Sequence, residues 1–336
     1  MTYRTVLVVG GSGFVGTHLV AQLATRMGRN VLVPSRRYQR VRDLLLLPTV
    51  TIFEADVNDD AALERLLPRV DAVINLAGVL HSSKRGGTAR YGAAFAQTHV
   101  ELPRRLVAAC VAHGVKRYLH MSALGAAVDA PSMYLRSKAD GELAALANPA
   151  LAVTVFRPSV IFGPDDQLMN QFAALQSLLP FVPLAAPEAR FQPIYVEDVA
   201  QAFVSALEND ATIGKTYELA GPKTYTLREL VQLAGVWSGH PRPVIGLPSV
   251  LARPLAWSME WLPGQPLMSR DNLDSMKVAS VASGKIAPVL DLEPVALEAI
   301  APYYLTGRTP HEGYNNFRRQ TAQPPLGAQQ QYPELQ

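Results

Sequence analysis

The chain has 336 residues, of which 49% are apolar and 18% are charged, and its net charge at pH 7 is +3. These values are typical of a globular protein with a sizeable core and room for one large or two modest domains. The chain carries no basic block and no alternation of basic and aromatic residues, which argues against nucleic acid as a partner. The single cysteine, Cys110, excludes an internal disulfide and is expected to be a small buried residue in its apolar stretch.

Secretory and membrane-spanning segments are not expected from the sequence. The first apolar strand begins almost at Met1, which leaves no room for a signal peptide. The closest candidate for a span, Phe172 to Pro187, is interrupted by three prolines and a glutamine, whereas a membrane helix needs roughly 18 continuous apolar residues. We therefore expect a cytoplasmic protein with no transmembrane segment, whose membrane contact, where there is any, is peripheral and at the inner face.

A glycine cluster directly follows the first apolar strand. The run Val6–Val9 leads into residues 10–16, and helical apolar spacing continues from His18 to Leu23. Glycines allow a sharp turn and a close backbone approach to a pyrophosphate, and the helix N-terminus directs free N–H groups at it. The pattern therefore predicts a bound dinucleotide. The residues expected to contact it are Gly10, Ser12, Gly13, Phe14, Val15 and Gly16.

Strand and helix patterns alternate through the first half of the chain. The predicted strands are Thr5–Val9, Asn30–Pro34, Val50–Phe53, Ala72–Leu76, Arg117–Met121 and Val153–Arg157. Helical patterns fall between most of them, notably Ala61–Leu67 and Glu101–His113. Strands that are apolar on both faces indicate a parallel sheet covered by helices on each side. The predicted fold class is α/β, a doubly wound parallel sheet of the Rossmann type whose ligand lies at the carboxyl ends of the strands.

The pattern changes after Gly163-Pro164, where prolines become frequent and helical stretches are short. We assign residues 1–163 to a dinucleotide-binding domain, to which a segment at about 190–207 returns. Residues 164–317 form a smaller C-terminal lobe for a substrate or a partner. Residues 318–336 are rich in Gln and Pro, and disorder is expected there.

The end of the second strand indicates which dinucleotide is bound. An acidic residue at this point usually holds the ribose of NAD, whereas arginine accommodates the 2′-phosphate of NADP. The strand here runs into Ser35, Arg36 and Arg37, with no acid, and a forked guanidinium suits a phosphate. NADP(H) is therefore the preferred cofactor. The alternative is NAD(H), with these arginines forming a solvated helix face together with Arg40 and Arg42.

Two further strand ends face the same ligand. Asp56 and Val57 follow the third strand and are the expected neighbours of the adenine. Asn75 ends the fourth strand, and the small residues after it let the backbone pass beneath the phosphates and the nicotinamide ribose. The residues expected there are Leu76, Ala77 and Gly78.

Tyr134 and Lys138 are the candidate catalytic pair. Four residues apart on a helix, they share one face. Free tyrosine has a pKa of about 10, and a nearby ammonium favours the phenolate, which brings the group closer to neutral pH. Lys138 can also hold the nicotinamide ribose, and Ser122, after the fifth strand, can hydrogen-bond a substrate oxygen. The alternative is a tyrosine that packs a helix and a lysine that reaches solvent.

The order of these motifs resembles that of the short-chain dehydrogenase/reductase superfamily, in its extended and atypical branches. The supporting motifs are Gly10-x-x-Gly13-x-x-Gly16, Asn75-Leu76-Ala77-Gly78, Ser122, Tyr134-x-x-x-Lys138, the segment 157–164 and the segment 192–200. The segment 157–164 adds Pro158 and Val160 to the residues expected at the cofactor. The resemblance implies a Rossmann domain and a Ser-Tyr-Lys site.

More narrowly, the chain resembles the atypical group around the nucleotide-binding accessory subunit of respiratory complex I. The segments that carry this similarity are 121–126, 134–139, 218–222, 226–230, 262–264 and 269–272. The resemblance implies a tightly held NADPH with a structural role, and it links relatives to ubiquinone metabolism. It leaves open whether this chain is an enzyme.

One position departs from the superfamily pattern. The superfamily commonly places an asparagine in the helix before the fifth strand, where it completes a proton relay, and His99 is at the corresponding place here. Histidine can relay protons, yet its bulk argues against an unchanged relay. We expect a packed or solvent-facing His99.

Three functions remain open at this point. The first is a redox-associated protein of respiratory complex I or ubiquinone metabolism, with respiratory-chain or quinone-pathway partners and a partly structural nucleotide. The second is an active NADPH-dependent reductase or epimerase-like enzyme acting on a small carbonyl or a sugar nucleotide. The third is a nucleotide-sensing interaction module. The aromatic-rich segment 248–263 is either a packing helix or a surface for a membrane or partner. The histidines lack metal-ligand spacing, so no metal is expected.

Overall fold

A seven-stranded parallel sheet organises the first two thirds of the protein. The structure, a computed structural model, describes residues 3–36, 41, 44–82, 90–260 and 268–306. The strand order is β3-β2-β1-β4-β5-β6-β11, and every pairing is parallel. The strands are β1 (Thr5–Val9), β2 (Asn30–Ser35), β3 (Val50–Glu54), β4 (Ala72–Asn75), β5 (Arg117–Met121), β6 (Ala152–Pro158) and β11 (Lys215–Leu219).

Helices cover both faces of this sheet, because the central strands are apolar on both sides. On one face, α1 (Phe14–Thr25) and α7 (Val196–Glu208) pack side by side over the sheet. On the other face lie α2 (Asp60–Leu66), α4 (Leu102–Ala112) and α5 (Met133–Ala145), with Cys110 buried in that layer. The short α3 (Ala93–Phe95) and a π-helical turn, Ala96–Glu101, lead into α4. This is the predicted doubly wound Rossmann arrangement.

The sheet and its helical layers include more of the C-terminal half than the return segment expected at about 190–207. Helix α7 falls within the predicted region of about 190–207, and Phe203 meets Phe156 of β6 with ring centroids 4.4 Å apart. Strand β11 at residues 215–219 also joins the sheet, and Leu290 is buried in the α1–α7 layer.

The buried Arg117 connects β5, β6 and α7 at the edge of the sheet opposite the site. It is fully buried and donates to the carbonyl oxygens of Ala152 and Ala206 at 2.9 and 2.8 Å. It also donates to the hydroxyls of Thr154 and Thr212 at 2.8 and 2.9 Å. These bonds pair both terminal nitrogens, which offsets much of the cost of burying the guanidinium.

The C-terminal lobe is built from short elements around small apolar clusters. Its helices are α6 (Leu168–Leu178), α8 (Leu227–Trp237), α9 (Ser249–Met259), α10 (Arg270–Ser275) and α11 (Leu297–Leu305). Its strands pair as β7 (Ile161–Phe162) with β10 (Ile194–Tyr195), β8 (Val182–Leu184) with β13 (Val244–Gly246), and β9 (Arg190–Phe191) with β12 (Tyr225–Thr226). Within the described ranges, no helix is both long and apolar enough to cross a bilayer.

Several sequence predictions fall wholly or partly on residues outside the described ranges. These are the role of Arg37 at the 2′-phosphate, the helix face containing Arg40 and Arg42, residues 261–263 of the aromatic-rich segment, the resemblance segment 262–264, and the disordered tail at 318–336.

Candidate functional site

The carboxyl ends of β1 and β4 meet at a glycine turn. Gly10 follows β1 with φ +83°, a backbone conformation that residues with a side chain rarely adopt. A Cβ placed there would stand 3.0 Å from the amide nitrogen of Ala77 and 3.0 Å from the carbonyl carbon of Leu76. The turn after β1 therefore lies directly against Leu76 and Ala77, which follow β4.

Gly16 allows α1 to start directly on this turn. A Cβ on Gly16 would overlap the carbonyl oxygen of Gly10 and come within 2.6 Å of the Cα of Gly11. The exposed Gly13 is the N-cap of α1, with no side chain to cap the helix, and the first turn contains no acidic residue. The first N–H groups of a helix lack intrahelical partners. The positive end of α1 thus faces a surface formed by backbone, and this cradle fits a diphosphate.

One arginine of the described residues, Arg36, follows the end of β2. Ser35 is buried, whereas Arg36 is exposed. Asp56, after β3, accepts hydrogen bonds from the backbone N–H and the side-chain amide of Asn58 at 3.0 and 2.8 Å. Those bonds, with a smaller contribution from the charge of Arg36, lower the pKa of the Asp56 carboxyl. Arg36 therefore lies within electrostatic range of the predicted adenine neighbour.

Lys138 lies between the ends of β4 and β5. Its side chain is only 3% exposed, and Nζ donates to the carbonyl oxygen of Met121 at 3.2 Å. Nζ is also 3.3 Å from the place that a Cβ on Gly78 would occupy. Burial lowers the pKa of Lys138 to about 8, against the opposing charge of Glu142. The ammonium group is thus held above the Leu76–Gly78 segment.

Tyr134 shares the face of α5 with Lys138, whose Nζ is 5.9 Å from the centroid of the phenol ring. The ring also packs edge-on against Phe95 and His99, at centroid distances of 6.0 and 5.6 Å. Burial raises the pKa of Tyr134 to about 12. The expectation that Lys138 brings the phenol towards neutral pH is therefore wrong for this structure, because desolvation dominates at the ring.

Ser122 follows β5 and lies against the end of the neighbouring strand β6. Ser122 is 2% exposed and its N–H donates to the carbonyl oxygen of Phe156 at 2.7 Å. Its hydroxyl has no hydrogen-bond partner among the described residues. A buried hydroxyl without a partner is costly, and this oxygen is free to hydrogen-bond a ligand. Pro158 is buried and Val160 is partly exposed, and both lie just before β7.

Comparison with known proteins identifies the family. The sequence profile of the NAD dependent epimerase/dehydratase family matches residues 6–220. The chain belongs to this family. It is 31% identical over 315 residues to NADH dehydrogenase (ubiquinone) 1 alpha subcomplex subunit 9, mitochondrial, of Arabidopsis thaliana, covering 89% of this chain and 75% of that protein. The mouse protein of the same name is 30% identical over 306 residues, covering 87% and 77%.

Solved structures agree on the fold. DesIV, a dTDP-glucose 4,6-dehydratase from Streptomyces venezuelae with NAD and TYD bound, matches with a TM-score of 0.72 at 20% identity, over 92% of this chain and 98% of that chain. The resemblance to an atypical short-chain dehydrogenase/reductase of the complex I subunit group is thereby confirmed.

His99 of this epimerase/dehydratase family member is packed inside the protein. It is 2% exposed and lies on the π-helical turn, with its ring stacked on Phe95 at 5.3 Å. Its Nε2 accepts from the N–H of Val79 at 3.1 Å, so Nδ1 carries the proton and donates to the Ser137 hydroxyl at 2.8 Å. Burial, together with the charge of Lys138, holds the pKa of His99 well below 6.5. Both nitrogens are engaged, which leaves no free nitrogen for a proton relay.

Sequence reasoning missed a second buried histidine beneath the site. His120 on β5 accepts at Nδ1 from the side-chain amide of Asn75, at 3.4 Å, and burial lowers its pKa to about 3. The same amide donates to the Tyr118 hydroxyl at 3.1 Å. These polar side chains stand in apolar strands, so alternation alone gives no signal for them. Within the described residues, no cluster of His, Cys, Asp and Glu could hold a metal ion.

A carboxylate from the lobe was also missed as a site residue. Asp271 of α10 accepts hydrogen bonds from the backbone N–H groups of Met133 and Tyr134, at 2.6 and 3.0 Å. In the sequence this residue stands only within a segment of family resemblance, 269–272. Because 137 residues separate Asp271 from Tyr134, no local pattern could have joined the two.

Proposed function

We propose that this family member holds a nicotinamide dinucleotide as a long-lived, largely structural group, in a protein associated with respiratory complex I or ubiquinone metabolism. The observation that carries the proposal is the backbone cradle at Gly10 and Gly16, which faces the N-terminus of α1. The relatives named as NADH dehydrogenase subunits support the respiratory association, since they match along most of this chain. A nucleotide-sensing interaction module, whose partner would dock on the C-terminal lobe, stays a separate prediction.

Each part of the dinucleotide has a proposed contact. The diphosphate would rest on Gly10, Ser12, Gly13 and the N-terminal turn of α1, which comprises Phe14, Val15 and Gly16. The adenine half would face Ser35, Arg36, Asp56 and Val57. The nicotinamide half would lie over Leu76, Ala77 and Gly78, with Lys138 at its ribose and Pro158 and Val160 beside it. When bound, the nicotinamide supplies or accepts a hydride.

The bound form is proposed to be NADP(H). The end of β2 presents the exposed guanidinium of Arg36 and, at residues 33–37, no acidic side chain. A carboxylate there would repel the 2′-phosphate, whereas arginine can bind it through two parallel hydrogen bonds.

Replacing Arg36 by alanine is expected to weaken NADPH binding roughly tenfold or more, because charge-assisted bonds to the 2′-phosphate are lost. The affinity for NADH, which lacks that phosphate, is expected to change by less than about twofold. Titration calorimetry of both coenzymes measures the difference. Arg69→Ala, at an exposed arginine after α2, is the control and should change neither affinity. An equal loss for the two coenzymes would contradict the assignment to NADP(H).

The buried hydroxyl of Ser122 favours a second candidate function, an NADPH-dependent reductase or epimerase-like enzyme. The unpartnered hydroxyl of Ser122 can donate a hydrogen bond to the carbonyl oxygen of a substrate. Tyr134 can give a proton to that substrate oxygen or take one from it. The Lys138 ammonium, held by burial at a pKa of about 8, would stabilise negative charge there. Against rapid turnover stand the raised pKa of Tyr134 and the engaged nitrogens of His99.

Supplying quinones and small carbonyl compounds to the NADPH-loaded protein separates the two functions. We expect Tyr134→Phe to retain NADPH affinity within about twofold, since the phenol does not touch the phosphates. Any turnover shown by the unaltered protein should fall by about 10²–10⁴-fold in that variant. Absorbance at the reduced nicotinamide band follows the reaction. Sustained oxidation in the unaltered protein would contradict a structural role, and equal turnover in the variant would remove Tyr134 from the mechanism.

The C-terminal lobe is proposed as the contact to respiratory-chain or quinone-pathway partners. Large apolar side chains are exposed on neighbouring elements of the lobe, at the end of α6, beside β8, on β13 and on α9. They are Leu178, Phe181, Ile245, Val250 and Leu251. Apolar patches of this kind mark interaction surfaces. The same patch would serve peripheral contact with the inner face of a membrane in a cytoplasmic protein.

A further inference from the structure

The start of α5 is capped by a residue far away in the chain. The first two N–H groups of the helix, on Met133 and Tyr134, donate to the two carboxylate oxygens of Asp271 at 2.6 and 3.0 Å. The next N–H, on Leu135, donates to the hydroxyl of Ser132 at 3.2 Å, and that of Arg136 donates to the Ser132 carbonyl oxygen. The first three N–H groups of the helix therefore have partners, and Arg136 makes the first regular helical bond.

This cap belongs to the helix that carries both candidate chemical groups. Tyr134 donates its own N–H to Asp271, and Lys138 follows one turn later on the same face. The negative carboxylate also complements the positive end of the helix dipole. Movement of Asp271 would therefore be passed to the Tyr134 ring and the Lys138 ammonium, while α1 and its glycine turn would stay in place.

The lobe holds Asp271 firmly. Arg270, the residue before it, donates its backbone N–H and its guanidinium to the carboxylate of Glu260, at 2.7 and 2.8 Å. Asp274, one turn further along α10, pairs with Arg253 of α9 at 3.3 Å and with Lys277 at 2.7 Å. Helices α9 and α10 are thereby joined, and together they present Asp271 to α5.

The charges around Asp271 come from several elements. Burial has the largest effect and raises the pKa of Asp271. The negative charge of Asp274 of α10 also raises this pKa, and the positive charge of Arg136 of α5 lowers it. Burial lowers the pKa of His81, after β4, and the negative charges of Asp271 and Glu260 act in the opposite direction. The two backbone donors of α5 lower the pKa of the Asp271 carboxyl, but burial outweighs them.

We propose that Asp271 is a positioning residue, through which the C-terminal lobe sets the place of Tyr134 and Lys138 against the nicotinamide half of the dinucleotide. The inference rests on the proposed dinucleotide binding and deepens it. Ligand contacts in the nicotinamide half of the site would then depend on how α9 and α10 pack against α5. Contacts in the adenine half would not.

Asp271→Asn tests this role with little change in shape. Each N–H group now faces its own carboxylate oxygen. The amide places an NH2 donor where one of these oxygens was, so one N–H group loses its acceptor. We expect NADPH affinity to fall roughly tenfold, because the helix that carries Lys138 loses its charged cap. The affinity for 2′,5′-ADP, which lacks the nicotinamide half, should stay within about twofold. The emission of bound NADPH should also shift, since it reports the surroundings of the nicotinamide.

The matched control is Glu298→Gln, in the first turn of α11 and ion-paired with Lys223, which should change the affinity for neither ligand. Equal losses for NADPH and 2′,5′-ADP would indicate general loosening and would overturn the positioning role. So would an Asp271→Asn protein that binds NADPH with unaltered affinity and emission. If the unaltered protein binds neither ligand, the proposed function itself fails, and the positioning role fails with it.

Discussion

Gly16→Ala is expected to abolish measurable dinucleotide binding. The added methyl group would overlap the Gly10 carbonyl oxygen and stand 2.6 Å from the Cα of Gly11. Both neighbours are backbone, so the start of α1 must move away from the turn. The diphosphate would then lose the N–H groups and the helix end aimed at it.

We expect the affinity for NADPH to fall at least about 100-fold, which corresponds to roughly 3 kcal/mol. Titration calorimetry measures it, with circular dichroism to establish that the variant is folded. Gly284→Ala is the control, because a Cβ at that glycine would meet nothing within 4 Å. Native affinity in a folded Gly16→Ala protein would show that the glycine turn is not the diphosphate site.

Lys138→Met is expected to stabilise the protein and to impair its site. The pKa of Lys138 is lowered from 10.5 to about 8 by burial, so below pH 8 the folded state holds a charge that burial disfavours. Such a shift corresponds to about 3 kcal/mol. Losing the hydrogen bond to Met121 costs about 1 kcal/mol. Methionine should therefore raise the free energy of unfolding at pH 7 by about 2 kcal/mol.

The sign of the pH dependence follows from the same shift. Between pH 8 and pH 10.5 the unfolded chain binds this proton and the folded protein does not. The contribution of Lys138 to stability therefore rises with pH in this window. Urea unfolding at several pH values should show this rise in the unaltered protein and lose it in Lys138→Met.

In the same Lys138→Met variant, NADPH affinity should fall roughly tenfold, because the ammonium no longer reaches the ribose. Lys215→Met, at an exposed lysine on β11, is the control for both effects. A variant that is less stable than the unaltered protein at pH 7 would mean that Lys138 is a net stabilising group, contrary to its burial.

The central sheet was predictable because its strands are continuous apolar runs. The predicted Thr5–Val9 and Arg117–Met121 agree with the structure, and Val153–Arg157 is one residue short at each end. Strand β11 escaped prediction, since Lys215–Leu219 is polar and exposed at its start and lies at the edge of the sheet. The π-helical turn before α4 has no periodic signal of its own.

The candidate site was predictable as a set of residues, but its electrostatics was not. Helical spacing places Tyr134 and Lys138 on one face of α5, and strand ends place Ser122 near them. The direction in which the pKa of Tyr134 shifts depends on how much of the ring is buried. The spacing of residues in the sequence does not report this burial. The hydrogen bonds of His99 and the cap by Asp271 depend on contacts between distant segments.

Titration calorimetry of the unaltered protein with NADPH and NADH tests the central claim most directly, combined with the nucleotide content of the protein as isolated. The account predicts one dinucleotide per chain, with NADPH bound more tightly, and release of nucleotide when isolated protein is denatured. Absence of heat with both coenzymes, from protein that also carries no nucleotide, would contradict it.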